Sequence, residues 1–186
     1  MKVRFGVALA LLVLVLPVVA QAGPATTQTV DVTGWVEGAG PTSTEYGQAS
    51  LVRNDSGISM TFRTTGLPAG EPVTIWWIIV EGGNIVSAQF AAGHVIGNNG
   101  VGSFGGRLAV GDTSGCFHPA FPCEGLSDPR NARVILLART HGDKDPGRLP
   151  EQIHTGETNF GNPGFEDDLC NPTFCQIQAA IFAPAS

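Results

Sequence analysis

Charge is scarce in this chain: Asp, Glu, Lys and Arg make up only 14% of its 186 residues. So little charge leaves few solvated helix faces to build, and the 25 glycines and 13 prolines point to many turns instead. Basic residues are the rarer sign, 10 against 16 acidic, for a net charge of −6. Such a surface repels phosphate backbones and anionic lipids, which excludes nucleic acid and acidic membranes as partners. Cysteine is missing from the first half of the chain. No long apolar run follows residue 22, so the mature chain carries no membrane span. No internal repeat, linker or low-complexity tract divides the sequence.

Signatures of catalysis are missing too. There is no G-x-S-x-G elbow. Asp112-Thr-Ser-Gly115 has the look of an aspartic-protease motif, but an inserted Ser breaks it and no second copy supplies the paired acid. The Gly-rich stretch Gly100–Gly106 lacks the Lys-Ser/Thr and the helix of a phosphate loop. Asp128, Glu151 and Glu157 are candidate carboxylates for glycoside hydrolysis, with nothing in the sequence to set two of them a fixed distance apart.

The amino terminus is the most informative stretch present. Lys2 and Arg4 precede an apolar run from Phe5 to Ala20, and Ala20-Gln21-Ala22 closes it with a small-x-small site. That order is a secretory signal peptide over residues 1–22. The run is too short for a bilayer span of roughly 20 residues. Cleavage leaves a single domain, 23–186, secreted or periplasmic or on the cell surface. Loss of Lys2 and Arg4 leaves 8 basic residues against 16 acidic ones, a net charge near −8.

The mature sequence alternates. Thr29–Val36 is β-branched and alternating, and Ala49–Arg53 and Ile58–Arg63 flank Asn54-Asp-Ser-Gly57 as a hairpin. Val73–Val80 is apolar on both faces, which marks a buried central strand. His94–Gly97 and Val101–Val110 form a second expected hairpin, with Gly102, Gly105 and Gly106 marking a bulge or close backbone approach. Arg133–His141 and Phe174–Phe182 supply the last strands. The fold expected is all-β: a single-domain β-sandwich or flattened barrel of about eight mostly antiparallel strands. Its long loops, 111–130 and 142–172, each have a cysteine pair in or beside them.

Export favours oxidation of those cysteines. Four allow three pairings, and the close spacings favour Cys116–Cys123 and Cys170–Cys175. The spacings are longer than the C-x2-C knuckle of structural zinc.

Imidazole with carboxylate is what a zinc or copper site requires. The histidines are His94, His118, His141 and His154, with no two at a spacing that sets both on one strand or helix face. Were a divalent metal held, His94, His141 and His154 with Asp143 and Glu151 are the candidate ligands at the sheet rim. Calcium would use Asp143-Lys-Asp145 or Glu166-Asp-Asp168, neither of which completes a twelve-residue loop. Trp76 and Trp77 point to opposite faces of one strand, either both in the core or one exposed as a stacking platform for sugar rings. Trp35 carries the same ambiguity.

Several segments resemble a family of uncharacterised secreted bacterial and archaeal proteins: Ala49–Gly57, Thr64–Leu67, Val73–Trp77, Ala91–Val95, Leu108–Thr113, Asp128–Arg130, Arg139–Gly142 and Pro150–Ile153. The likeness spans most of the mature chain and brings no known catalytic residue. It implies that a shared site, if the family has one, lies among polar positions near strand ends: His94, Asp112, His141, Glu151. More distantly, the layout is similar to chordin-type CHRD domains, whose His-x-His pattern is here replaced by Trp76-Trp77-Ile-Ile-Val80.

Two functions are expected. The first is a non-catalytic extracytoplasmic binding or structural domain for an extracellular ligand or surface polymer, with no cofactor. The alternative is a metal-dependent enzyme or redox protein with a histidine site at the sheet rim.

Overall fold

A computed structural model describes residues 23–36, 39–116, 122–154 and 177–185. Residues 1–22, expected to be a signal peptide, His118, Glu157, Glu166–Asp168 and the expected Cys170–Cys175 pair lie outside the described residues.

Among the described residues, eight strands form a single sheet. In chain order they are β1 (Thr26–Val36), β2 (Gly40–Asn54), β3 (Gly57–Thr64), β4 (Pro72–Glu81), β5 (Asn84–Val95), β6 (Gly102–Ala109), β7 (Arg133–Thr140) and β8 (Ile177–Phe182). One short helix, α1 (Leu149–His154), lies in the loop after β7. The strand order is β5-β4-β7-β8-β1-β2-β3-β6, with every pair antiparallel. The sheet curls until its edge strands β5 and β6 approach each other, giving a nearly closed barrel. Of the two forms expected, the flattened barrel is therefore the one realised.

Alternation decides which side chains enter the barrel. Ile58, Met60 and Phe62 of β3 point inward with Leu51 of β2 and Val73, Ile75, Trp77 and Ile79 of β4. Val134, Leu136, Ala138, Ala180 and Phe182 complete the far wall. β2 and β3 meet around Asn54 and Gly57 in the register the hairpin motif predicts.

The second expected hairpin is not formed. β5 starts ten residues earlier than expected, at Asn84, and pairs with β4 through two bulges; β6 pairs with β3 instead. Between β5 and β6 runs a seam without a ladder. Gly106 allows the close approach there: a Cβ on it would stand 3.2 Å from the Ala91 carbonyl and 3.5 Å from the Trp77 ring.

Part of that seam is sealed by the loop after β6. Val110 bridges to Leu126, and Gly111 N–H donates to Leu126 O at 2.9 Å. From the same loop, Gly115 O and Pro122 O accept the Phe90 and Ala88 amides at 2.9 and 3.0 Å, while Glu124 N–H donates to Val86 O. The Cys116–Cys123 disulfide, Cα atoms 5.9 Å apart, holds the two limbs of this strap together. The favoured pairing for these two cysteines is the one formed.

Arg53 closes the end of the barrel where β1 starts. It is fully buried, continuing the inward series Ala49, Leu51. Its Nε donates to Gln28 Oε1 at 3.0 Å, Nη1 to Pro129 O and Ala132 O at 2.7 and 2.8 Å, and Nη2 to Ala183 O at 2.9 Å. Among the described residues no carboxylate takes part. The turn that offers two of these carbonyls is itself held by Asp128, which accepts the Arg130 and Asn131 amides, both at 3.1 Å. Asp128 is thus committed to a turn rather than placed in a cleft.

Candidate functional site

At the opposite end of the barrel, where β1, β3, β5 and β7 finish, lie Trp35, Thr74, Trp76, His94, His141 and α1. Two arrangements occur there: an open cleft at the mouth and a closed polar cluster outside the wall.

The cleft has a volume of about 190 Å³ and is lined by Gly34, Trp35, Val36, Thr42, Thr44, Tyr46, Gly66, Leu67, Pro68 and Gln178. Register shifts in the β1–β2 ladder on either side of Thr33 re-aim the strands at this level. Two glycines keep the space around Tyr46 open. A Cβ on Gly34 would stand 2.6 Å from Thr42 Oγ1 and 3.3 Å from Tyr46 Cε2. Gly66, at φ +72°, lies so close that a Cβ would meet the Tyr46 ring at 2.9 Å. Gln178, buried beneath, is oriented by two contacts: its Nε2 donates to Thr65 O at 2.9 Å and its Oε1 accepts from the Thr64 hydroxyl at 2.5 Å. Among the described residues the lining is half aromatic and apolar, half hydroxyl and amide, with no carboxylate, imidazole or cation. Chemically these side chains can stack a ring and exchange hydrogen bonds.

The closed cluster lies on the outer face of β4 and β7. Trp76 Nε1 donates to Thr74 Oγ1 at 2.8 Å, and Thr74 Oγ1 lies 2.8 Å from His141 Nε2. An indole can only donate, so the Thr74 oxygen accepts from Trp76, and the imidazole tautomer sets which of Thr74 and His141 donates to the other. His141 Nδ1 is shut off from water without a partner, as is Glu71 Oε2, one residue before the Pro72 carbonyl that accepts the His141 amide. Loss of solvent, aided by the Arg139 charge, drops the His141 pKa to about 4, so the ring is neutral at physiological pH. Burial and the Asp143 charge push Glu71 upward.

Helix α1 packs on this face because Gly93 lacks a side chain; a Cβ there would run into the Ile153 carbonyl. Gln152, buried on α1, accepts the Asp145 amide at 3.0 Å and donates to Asp143 O at 3.1 Å, tying loop to helix.

A hydroxyl on an imidazole nitrogen is the geometry of a nucleophile and its base. Here it does not serve as one. Thr74 is 2% exposed and its oxygen already accepts from Trp76.

The remaining candidates are dispersed. His94 faces the seam, its ring stacked on Phe104 at 4.4 Å between centroids, with Nδ1 2.9 Å from the Val95 carbonyl. His154 is exposed at the end of α1, and Glu151 lies in its first turn. Among the described residues no three His, Cys, Asp or Glu side chains converge to hold a metal, so His94, His141 and His154 do not assemble into one rim site with Asp143 and Glu151. Nor do Trp76 and Trp77 offer a platform: Trp77 is 1% exposed in the core, and Trp76, 4% exposed, lies under the Arg139 guanidinium 6.0 Å from its ring. Of the tryptophans, Trp35 is the one that lines an opening.

Compared with protein-family models, curated proteins and solved structures, the chain matches none of them. No helix among the described residues is long and apolar enough to cross a membrane.

Tyr46, Thr42 and Gln178 escape a reading by sequence. Gln178 lies more than a hundred residues from Thr42 and Tyr46 along the chain and is brought to them by the β8–β1–β2 pairing. Trp35 beside Gly34 is the one local signal.

Proposed function

We propose that this chain is an extracytoplasmic, non-catalytic binding domain whose site is the barrel mouth. The ligand class that fits is a small, uncharged, hydroxylated ring, such as one neutral sugar residue of a surface polymer. One observation carries the reading: the mouth combines Trp35 and Tyr46 with Thr42, Thr44 and Gln178, and among the described residues that line it the phenol is the one ionisable group. Aromatic faces match the C–H faces of a sugar, while hydroxyls and an oriented amide match its O–H groups. The leader and the resemblance to secreted bacterial and archaeal proteins support the location outside the cytoplasm.

The cleft is smaller than the roughly 300–1,000 Å³ of a drug-sized pocket, so it accommodates one ring and binding is weak, with Kd on the order of 0.1–10 mM. The test is a titration of the exported protein with methyl glycosides of neutral hexoses and pentoses, followed by tryptophan fluorescence and NMR. Saturable binding to at least one glycoside is expected, with at least a tenfold loss in Trp35→Ala and in Gln178→Ala. Binding that survives both substitutions, or no binding to any glycoside at 50 mM (about five times the weakest Kd expected), refutes the assignment of ligand class.

A further inference from the structure

An ionic contact sits where the sequence ends its leader. The Gly23 amide donates to Asp55 Oδ2 at 2.7 Å, and Asp55 Oδ1 accepts from Arg130 Nε, also at 2.7 Å. Arg130 Nη2 donates in turn to Pro24 O at 3.0 Å. The backbone of residues 23 and 24 is therefore gripped by an anion on one side and a cation on the other, just ahead of β1. A Cβ at position 23 would stand 2.8 Å from Arg130 Nη2, so a larger residue there would shift the guanidinium. Ala20-Gln21-Ala22 ends immediately before this clamp. A processing motif and a structural grip, of independent origin, meet at one peptide bond.

We propose that hydrolysis of the Ala22–Gly23 bond turns the Gly23 amide into an α-ammonium seated on Asp55, making the new chain end the second cation of an Asp55–Arg130 ion triad. The step consumes one water: Ala22 leaves as a carboxylate, and the Gly23 nitrogen gains a proton and becomes charged. Asp55 is suited to the role, since Arg130 and Gly23 hold its carboxyl below the usual carboxylate range and keep it anionic. The other charged groups near this end are Asp128, which caps the turn carrying Arg130; Glu81, which accepts the Asp128 amide at 3.0 Å; Arg53, bonded to the Pro129 and Ala132 carbonyls; and Arg107 of β6, which reaches Ser56 at 3.4 Å. Asp55 raises the proton affinity of the amine; Arg130 opposes it. The inference stands apart from what the mouth binds.

The full chain, leader included, is expressed in an exporting host, and the N-terminus of the product is identified by mass spectrometry. Its α-amine pKa is then measured by NMR. A product starting at Gly23 is expected, with an amine titrating about half a unit or more above the ordinary 7.7–8.0. Asp55→Asn returns it to that range, and Arg130→Gln raises it further by removing the competing cation. A different N-terminus overturns the proposal, as does an amine that titrates in the ordinary range in the parent. So does an amine unmoved by Asp55→Asn or, where that variant does not accumulate, by Arg130→Gln.

Discussion

Replacing Arg53 with Met is the sharpest test of how the barrel is closed. The methionine keeps much of the aliphatic stem and removes the guanidinium. Four hydrogen bonds go with it, two of them to the buried carbonyls of Pro129 and Ala132. Hydrogen bonds from a charged donor each contribute about 1.5–3 kcal/mol net, and a buried carbonyl left unpaired costs about 1–3 kcal/mol. Against this stands relief from holding a cation out of water, which in Arg53 is severe enough to lower its pKa. Water entering at the partly exposed Ala183 and Gln28 sides recovers some of the loss. The net is a destabilisation of about 3–5 kcal/mol, or roughly 10 °C in Tm for a domain of this size. Urea denaturation followed by tryptophan fluorescence measures it, with Arg53→Lys as control. Lysine keeps the charge but cannot fork to carbonyls on three segments, so it falls between Met and the parent. A Met variant within about 1 kcal/mol of the parent would show that the end of the barrel is held by packing alone.

Three further outcomes are expected. Because His141 has a pKa of about 4 in the fold against 6.5 as its ordinary value, the unfolded chain binds the extra proton between those values. Its contribution is complete above pH 6.5 and declines as pH falls toward 4, by at most about 1.4 kcal/mol per pH unit. The raised Glu71 works the opposite way in the same range, so the comparison is between parent and His141→Asn denaturation curves; parallel pH dependences refute the assignment. Cys116→Ser with Cys123→Ser removes a short loop closure and costs about 2.5 kcal/mol. Hydrogen exchange at the Ala88 and Phe90 amides should accelerate before the rest of β5, and unchanged protection would mean that the strap does not depend on its disulfide. For the mouth, Gly34→Val is expected to displace Thr42 and abolish glycoside binding with little change in the barrel's far end, checked by comparing ligand titration with NMR shifts around Arg53.

The elements legible in the sequence are those whose alternation is unbroken. The β2–β3 hairpin shows its turn and its inward series in plain order, and Val73–Val80 shows a strand covered on both sides. β5 is harder because two bulges against β4 break its period and its middle is Ala-Gln-Phe-Ala-Ala, which fits several structures equally well. The first half of β2, Gly40–Glu45, is polar at almost every position because it runs beyond the core. Arg53 was readable in principle: Ala49 and Leu51 set the inward parity, and the arginine continues it. Its acceptors were not, since three are main-chain carbonyls from two distant segments. The polar strand-end residues divide by burial. His141 is locked into a cluster with Thr74, whereas the cleft recruits Thr42, Tyr46 and Gln178, side chains with no catalytic signature to attract notice.

A barrel closed by hydrogen bonds has no edge, but this one has two. Between Val86 and Phe90 the outer amides and carbonyls of β5 are occupied by the chain's own strap, fastened by Cys116 and Cys123. Were the strap to lift, that row would become a template on which another polypeptide could add a strand. Oxidation of one short loop therefore protects more than the stability of a single molecule. It keeps the edge of one copy from pairing with the next, and it ties the solubility of the population to the redox state of two sulfur atoms.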